Sequence, residues 1–191
     1  MLLELSGTRP GNAMAELLEE LLAQAWESGA VVDAALAASA AQAEAFWRLR
    51  EGVVEAQRFE GGSIKHDVAV PVSRVPEFIR RADALVTAAL PEIRPCAFGH
   101  VGDGNIHYNL TQPAAMETAA FLDQWERFNR MVHDLVMELG GTFSAEHGVG
   151  RLKMEEMARY KSPVELDLMG SLKRALDPHG IMNPGVILPA E

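Results

Sequence analysis

Residues 99–110 read Gly-His-Val-Gly-Asp-Gly-Asn-Ile-His-Tyr-Asn-Leu, and the Asp103-Gly104 step at their centre constrains the fold more than any other dipeptide. Asp-Gly between alternating runs is the strongest short hairpin signal, because a type I′ turn needs positive φ at both central residues. The predicted hairpin covers residues 94–111. With Asp103-Gly104 as a two-residue loop, His100 stands directly across the ladder from His107, their β-carbons about 4.5–5.5 Å apart on one side. Asn105 and Asn109 share that face; Val101, Ile106, Tyr108 and Leu110 share the other. One face is then apolar and packs on helices, and the other is polar and suited to a ligand.

Strands are also predicted at 2–6, within 30–38 and at 63–70, where Ser-Ile-Lys-His-Asp-Val-Ala-Val alternates up to Pro71. Apolar spacing predicts helices over 10–28, 39–59, 73–90 (capped by Ser73) and 115–139, with two shorter ones from Arg151 and Pro163. Helices among strands with a central antiparallel hairpin indicate an α+β domain: a mainly antiparallel sheet with helices packed on one face. With 191 residues and no linker or repeat, one domain over 1–191 is expected. Met1 opens directly into Leu2-Leu3-Glu4-Leu5, which points to an introduced start codon or a truncation.

Two imidazoles on one strand face can converge on a metal ion, and Glu146 is a candidate third ligand. It lies in Ser144-Ala145-Glu146-His147-Gly148-Val149-Gly150, a glycine-rich turn ahead of a helix. A His–His–Glu set with an open position is the pattern of a catalytic zinc site. The adjacent His147 can point elsewhere and serve as a general base, since histidine exchanges protons near neutral pH. Plainer readings stand beside these. Two hairpin histidines can be surface or hydrogen-bonded residues, Glu146 alone reads as a cap of the following helix, and Arg50 as a solvated partner of Glu51 or Glu55. Lys65 and Asp67 fall on the polar side of their strand, and His66 on the apolar side as a satisfied core histidine.

Residues 99–110 and 144–153, with Leu176-Asp177-Pro178-His179-Gly180-Ile181-Met182-Asn183-Pro184-Gly185, resemble the C-terminal domain of the FAD-linked oxidases. The likeness extends to Phe46-Trp47-Arg48-Leu49-Arg50-Glu51 and Ser63-Ile64-Lys65-His66-Asp67. That family includes D-2-hydroxyglutarate and D-lactate dehydrogenases and the D subunit of glycolate oxidase, and the resemblance implies its ferredoxin-like fold. It also implies that His100, His107 and Glu146 hold a divalent metal, usually zinc, and that His147 is the catalytic base. Arg50 and Lys65 match residues that grip substrate carboxylates, Asn109 a substrate-contacting amide, and Asn183 an asparagine near the flavin. Val186 stands where many relatives carry lysine, and Val54 where the 2-hydroxyglutarate enzymes tend to carry a hydroxyl, which puts 2-hydroxyglutarate as substrate in doubt.

The implied reaction is FAD-dependent oxidation of a small D-2-hydroxy acid to a 2-oxo acid, with no electron acceptor identified. FAD would be held mainly by an N-terminal FAD-binding domain that nothing in this chain resembles, so the chain alone is expected to be inactive. A net charge of −10 without a basic cluster argues against nucleic acid, and no apolar run is long enough for a membrane span. One cysteine and no recognisable secretory signal fit a reducing compartment, with a cytoplasmic location expected. Two competing classes are a freestanding metal-dependent hydrolase using the same His–His–Glu set, and a binding or assembly module that has lost activity.

Overall fold

A computed structural model describes residues 1–8 and 11–188, which divide into two units, Met1–Ala56 and Gln57–Glu191. In the first unit, helix α1 spans Ala13–Glu27 and buries no residue. Its predicted start at Pro10 lies outside the described residues. Helix α2 (Ala40–Glu51) begins where the Ser39 hydroxyl accepts the Gln42 N–H at 3.3 Å. The predicted continuous helix to 59 is broken: Gly52 follows α2, then the one-turn α3 (Val53–Ala56), and Gln57–Glu60 tightens to a 3-10 turn. The strands predicted at 2–6 and 30–38 do not form. A strand exists only through a neighbour's N–H and C=O groups, and the described residues of this unit contain no sheet to join.

The second unit is built on a sheet formed from β1 (Ser63–Ile64), β2 (Asp67–Ala69), β3 (Arg94–His100) and β4 (Asn105–Thr111), with every pairing antiparallel. Strand β4 is central, with β3 along one side and β1 and β2 along the other in one shared register, Ser63 opposite Thr111 and Asp67 opposite His107. The predicted strand over 63–70 is therefore interrupted only at Lys65-His66, where the Tyr108 N–H still bonds to the His66 carbonyl.

Alternation along β4 sends Ile106, Tyr108 and Leu110 to one face, where they join Ile64 and Val68 in the core. Against them pack α4 (Val75–Ala89), through Val75, Phe78, Ala82 and Val86, and α6 (Trp125–Glu138), through Phe128, Val132, Leu135 and Val136. Burying each such side chain stabilises the fold by about 1.5–3 kcal/mol. The result is the α+β arrangement, helices on the apolar face of an antiparallel sheet.

Several local predictions are corrected. Ser73 lies in a 3-10 turn and caps nothing; α4 starts after it, and Leu85 of its predicted stripe is 41% exposed. The helix predicted over 115–139 is two, α5 (Thr118–Leu122) and α6, separated at Asp123-Gln124. Of the last two helices, α7 (Met154–Tyr160) begins three residues later than expected. Helix α8 (Pro163–Leu176) begins at Pro163 behind a capping box of Ser162 and Glu165. It buries no residue and leaves Val164, Leu168, Leu172 and Leu176 exposed.

The hairpin register also differs. His100 pairs with Asn105 and Phe98 with His107, so the loop holds four residues, 101–104, instead of two. Val101–Asp103 forms a 3-10 turn and Gly104 closes it at φ 77°. Asp103 uses its carboxylate to accept the Asn105 N–H at 3.0 Å, and Gly104 lies so close to Val70 that a β-carbon would stand 2.0 Å from the Val70 carbonyl oxygen. These local bonds favour the longer loop. The register moves by two residues, which preserves the face of every side chain that stays in the strands because the strand repeat is two; Val101, predicted on the apolar face, is instead in the loop and 50% exposed.

Candidate active site

The polar face of β4 presents Asn105, His107, Asn109 and Thr111, with Asp67 across from His107 on β2. Past α6, Gly141 passes β2 so closely that a β-carbon there would meet the Ala69 carbonyl oxygen at 2.2 Å. Thr142 makes a bridge to Ala69, and the chain then folds over Asp67. The Ala145 N–H donates to the Asp67 carbonyl at 3.2 Å, and the Glu146 and His147 N–H groups donate to Asp67 Oδ2 at 3.0 and 2.7 Å. Lys153 braces the turn from behind, its ammonium on the Phe143 carbonyl and Ser144 Oγ at 3.2 and 3.1 Å.

Held in this way, Glu146 Oε1 lies 2.8 Å from His107 Nε2, and the His147 ring stacks on that of His107 with centroids 5.3 Å apart. One donor atom from each of Asp67, His107, Glu146 and His147 lies within 4.8 Å of every other. Two imidazoles and two carboxylates form the nitrogen–oxygen donor set that suits zinc and neighbouring divalent metals, so these residues fit such an ion. His107 is largely covered, whereas Glu146 and His147 open to solvent, their side chains 47% and 66% exposed. The cluster therefore has an accessible side.

His100 falls outside this four-donor group. It is exposed, on the same sheet face as His107 and diagonal to it rather than opposite, a separation of about 7–8 Å that long side chains can span. Glu146 caps no helix, since α7 starts only at Met154. Lys65 is exposed between β1 and β2, at the position the shared register places across from Asn109. Asn109 is buried, and its amide donates to Gln57 Oε1 at 2.7 Å. Asn183 sits in a left-handed turn at φ 47°, in a segment tied to the site loop by Arg151 to the Pro184 carbonyl and by the Ile187 N–H to the Gly150 carbonyl. Arg50 stands on α2 in the first unit, half-buried.

Sequence reasoning missed the hub of this arrangement. Asp67 is 4% exposed. Burial pushes its pKa up, but the N–H groups of His147 and Glu146 and the Asn105 amide outweigh that and hold it below the usual carboxylate range. The available signal was its strand position opposite His107, which requires the register of β2 on β4 to be known. Lys153 was missed too; burial pulls its ammonium pKa down, against the opposing pull of Asp67 and Glu156. Beneath the sheet, His66 takes the core role predicted for it, its Nδ1 2.7 Å from the Tyr108 carbonyl oxygen.

The family described as FAD linked oxidases, C-terminal domain, matches residues 1–187. A D-2-hydroxyglutarate dehydrogenase of Stutzerimonas stutzeri (strain A1501) is 38% identical over 164 residues, 86% of this chain and 35% of the relative. The mitochondrial D-2-hydroxyglutarate dehydrogenases of Arabidopsis thaliana and Rattus norvegicus are each 35% identical, covering 99% and 100% of this chain but 32% and 34% of theirs. The chain thus spans about a third of the length of the curated relatives it matches.

Proposed function

Because this chain belongs to the C-terminal domain family of the FAD linked oxidases, we propose that it is the substrate side of an FAD-dependent dehydrogenase oxidising a D-2-hydroxy acid to the 2-oxo acid. The observation that carries the proposal is the His107–Glu146–His147 cluster, open to solvent on the polar sheet face. His107 and Glu146, joined by His100 from the same face, would hold a divalent metal, zinc by preference. Bound there, the metal supplies a Lewis acid that lowers the pKa of a substrate hydroxyl. FAD, gripped by a separate FAD-binding domain, supplies the hydride acceptor.

The residues of this chain do the positioning. His147, whose side chain is 66% exposed, takes the hydroxyl proton. Lys65 and Arg50 hold substrate carboxylates and fix which hydrogen faces the flavin, an assignment that rests on the resemblance. Asn109, across the shared register from Lys65, contacts the substrate, and Asn183 approaches the flavin from the segment bound to the site loop. A partner domain is also supported by the exposed apolar row on α8, a kind of surface that another domain commonly covers. D-2-hydroxyglutarate, which the relatives' names specify, is the first substrate to assay, with D-lactate as the contrast because Val54 removes a hydroxyl contact.

No helix of the described residues is long and apolar enough to cross a membrane. Cys96 is a free thiol and the sequence holds no other cysteine, a usage that suits a reducing compartment, and we propose the cytoplasm. The test is a flavin and turnover assay. The 191-residue chain alone is expected to bind no stoichiometric FAD and to oxidise no D-2-hydroxy acid, whereas the same chain joined to its FAD-binding domain does both. Copurification of stoichiometric FAD with the chain alone would overturn the division of labour.

A further inference from the structure

We infer that Asp67 is the positioning residue of the metal and base cluster, acting through the backbone of the turn and not as a metal ligand. The inference deepens the proposed function and rests on its metal site. Two distances separate the possible routes. Asp67 lies 3.9 Å from His107 Nδ1 and 3.7 Å from His147 Nδ1, too far for a hydrogen bond to either ring. By contrast, a single carboxylate oxygen accepts the N–H groups of Glu146 and His147 at 3.0 and 2.7 Å, while the Asp67 carbonyl accepts that of Ala145 at 3.2 Å. Three successive backbone groups are thus pinned to one residue, and the side chains at 146 and 147 leave the chain from pinned atoms.

The other carboxylate oxygen is occupied by the Asn105 amide at 3.0 Å, so the side chain has both oxygens committed. It is buried, and its bonds account for it. They fix the direction of the Glu146 carboxylate towards His107 and set the His147 ring on that of His107.

The test uses the full chain, stripped of metal and titrated with zinc against a chromophoric chelator, with amide hydrogen exchange read over residues 145–148. Asp67→Ala leaves two N–H groups without their acceptor. It is expected to weaken zinc binding by about 10–100-fold, the usual cost of losing an outer-shell partner, and to speed exchange in the turn. Asp67→Asn keeps one oxygen for both N–H groups. Its new amide can face Asn105, whose Oδ1 is buried without a hydrogen-bond partner and can turn to accept it. This variant should keep the slow exchange and lose less than about tenfold in zinc affinity.

Equal, large losses in the Ala and Asn variants would overturn the inference, because a ligand or a required charge fails in both. Wild-type zinc affinity in a folded Asp67→Ala protein would also overturn it, as expected of a residue that serves stability alone. Should Asp67→Ala not fold, Asp67→Glu replaces it: the charge remains but the acceptor is displaced, so zinc binding should weaken, and unchanged binding counts against us. His107→Ala is the control for the site itself. Wild-type zinc binding in that variant removes the metal site, whereas zinc lost there but kept in Asp67→Ala removes only the positioning role.

Discussion

His107 and His147 stack face to face, yet they differ in cover: His107 is 15% exposed and bonded to Glu146, and His147 is 66% exposed. A covered, bonded imidazole suits a ligand, and an open one suits a base that must reach substrate. With this chain joined to an FAD-binding domain, as proposed above, His147→Ala is expected to reduce turnover by about 10²–10⁴-fold while leaving metal content unchanged. His107→Ala and His100→Ala should reduce both, as measured by elemental analysis beside the rate assay. Comparable metal loss in the His147 variant would make it a ligand, and full metal retention in the His100 variant would remove His100 from the ligand set. Motifs in the sequence carried His107, Glu146 and His147, because each sits in a short string whose residue types already suggest chemistry. Asp67 carried no such mark. A carboxylate on the polar side of a strand reads as solvent-facing, and only the fold-over of residues 145–147, distant in sequence, buries it.

Strand β4 was legible nearly to the residue, because alternation and burial on one face agree along its length. The loop beside it was not. Asp-Gly signals a tight turn, but the choice between two and four loop residues is made by the Val70 backbone, which the sequence of the hairpin does not contain. Two glycines in that loop give a direct test. Gly104 has φ 77° and a backbone oxygen where its β-carbon would go, whereas a β-carbon on Gly102 meets nothing within 4 Å. Gly104→Ala is expected to cost at least about 1–3 kcal/mol from the left-handed backbone alone, and Gly102→Ala to fall within about 0.5 kcal/mol of wild type, by denaturant unfolding. Similar costs at both positions would mean that the Val70 contact does not set the loop. The helices show the same limit: the stripe of α4 was readable apart from Leu85, those predicted for α1 and α2 are not buried, and the breaks at Gly52 and Asp123-Gln124 were not readable.

At the scale of the molecule, the core encloses two histidines, His66 and His133, 1% and 2% exposed and edge to face at 5.6 Å. Burial lowers their pKa values from 6.5 to about 4 and about 3, so both are neutral in the folded protein near neutral pH. Above pH 6.5 neither state binds the proton, and they have no effect on stability. Below it the unfolded chain takes up protons that the folded one excludes. Stability should therefore fall by up to about 1.4 kcal/mol per pH unit for each histidine, until the folded pKa is reached. Thermal melts from pH 8 to 5 are expected to show that decline, and His133→Phe to make it shallower; an unchanged slope would place the acid sensitivity elsewhere. The donor cluster has a consequence in time as well as in space. Asp67, His107 and the Glu146-His147 pair come from segments about forty residues apart, so each separation is a long loop that must close before its contacts stabilise anything. During synthesis Asp67 leaves the ribosome well before Glu146 and His147, and no early fragment holds the whole cluster. Under the proposed reading, a metal would therefore enter late, into a chain whose sheet and 144–150 turn have already come together.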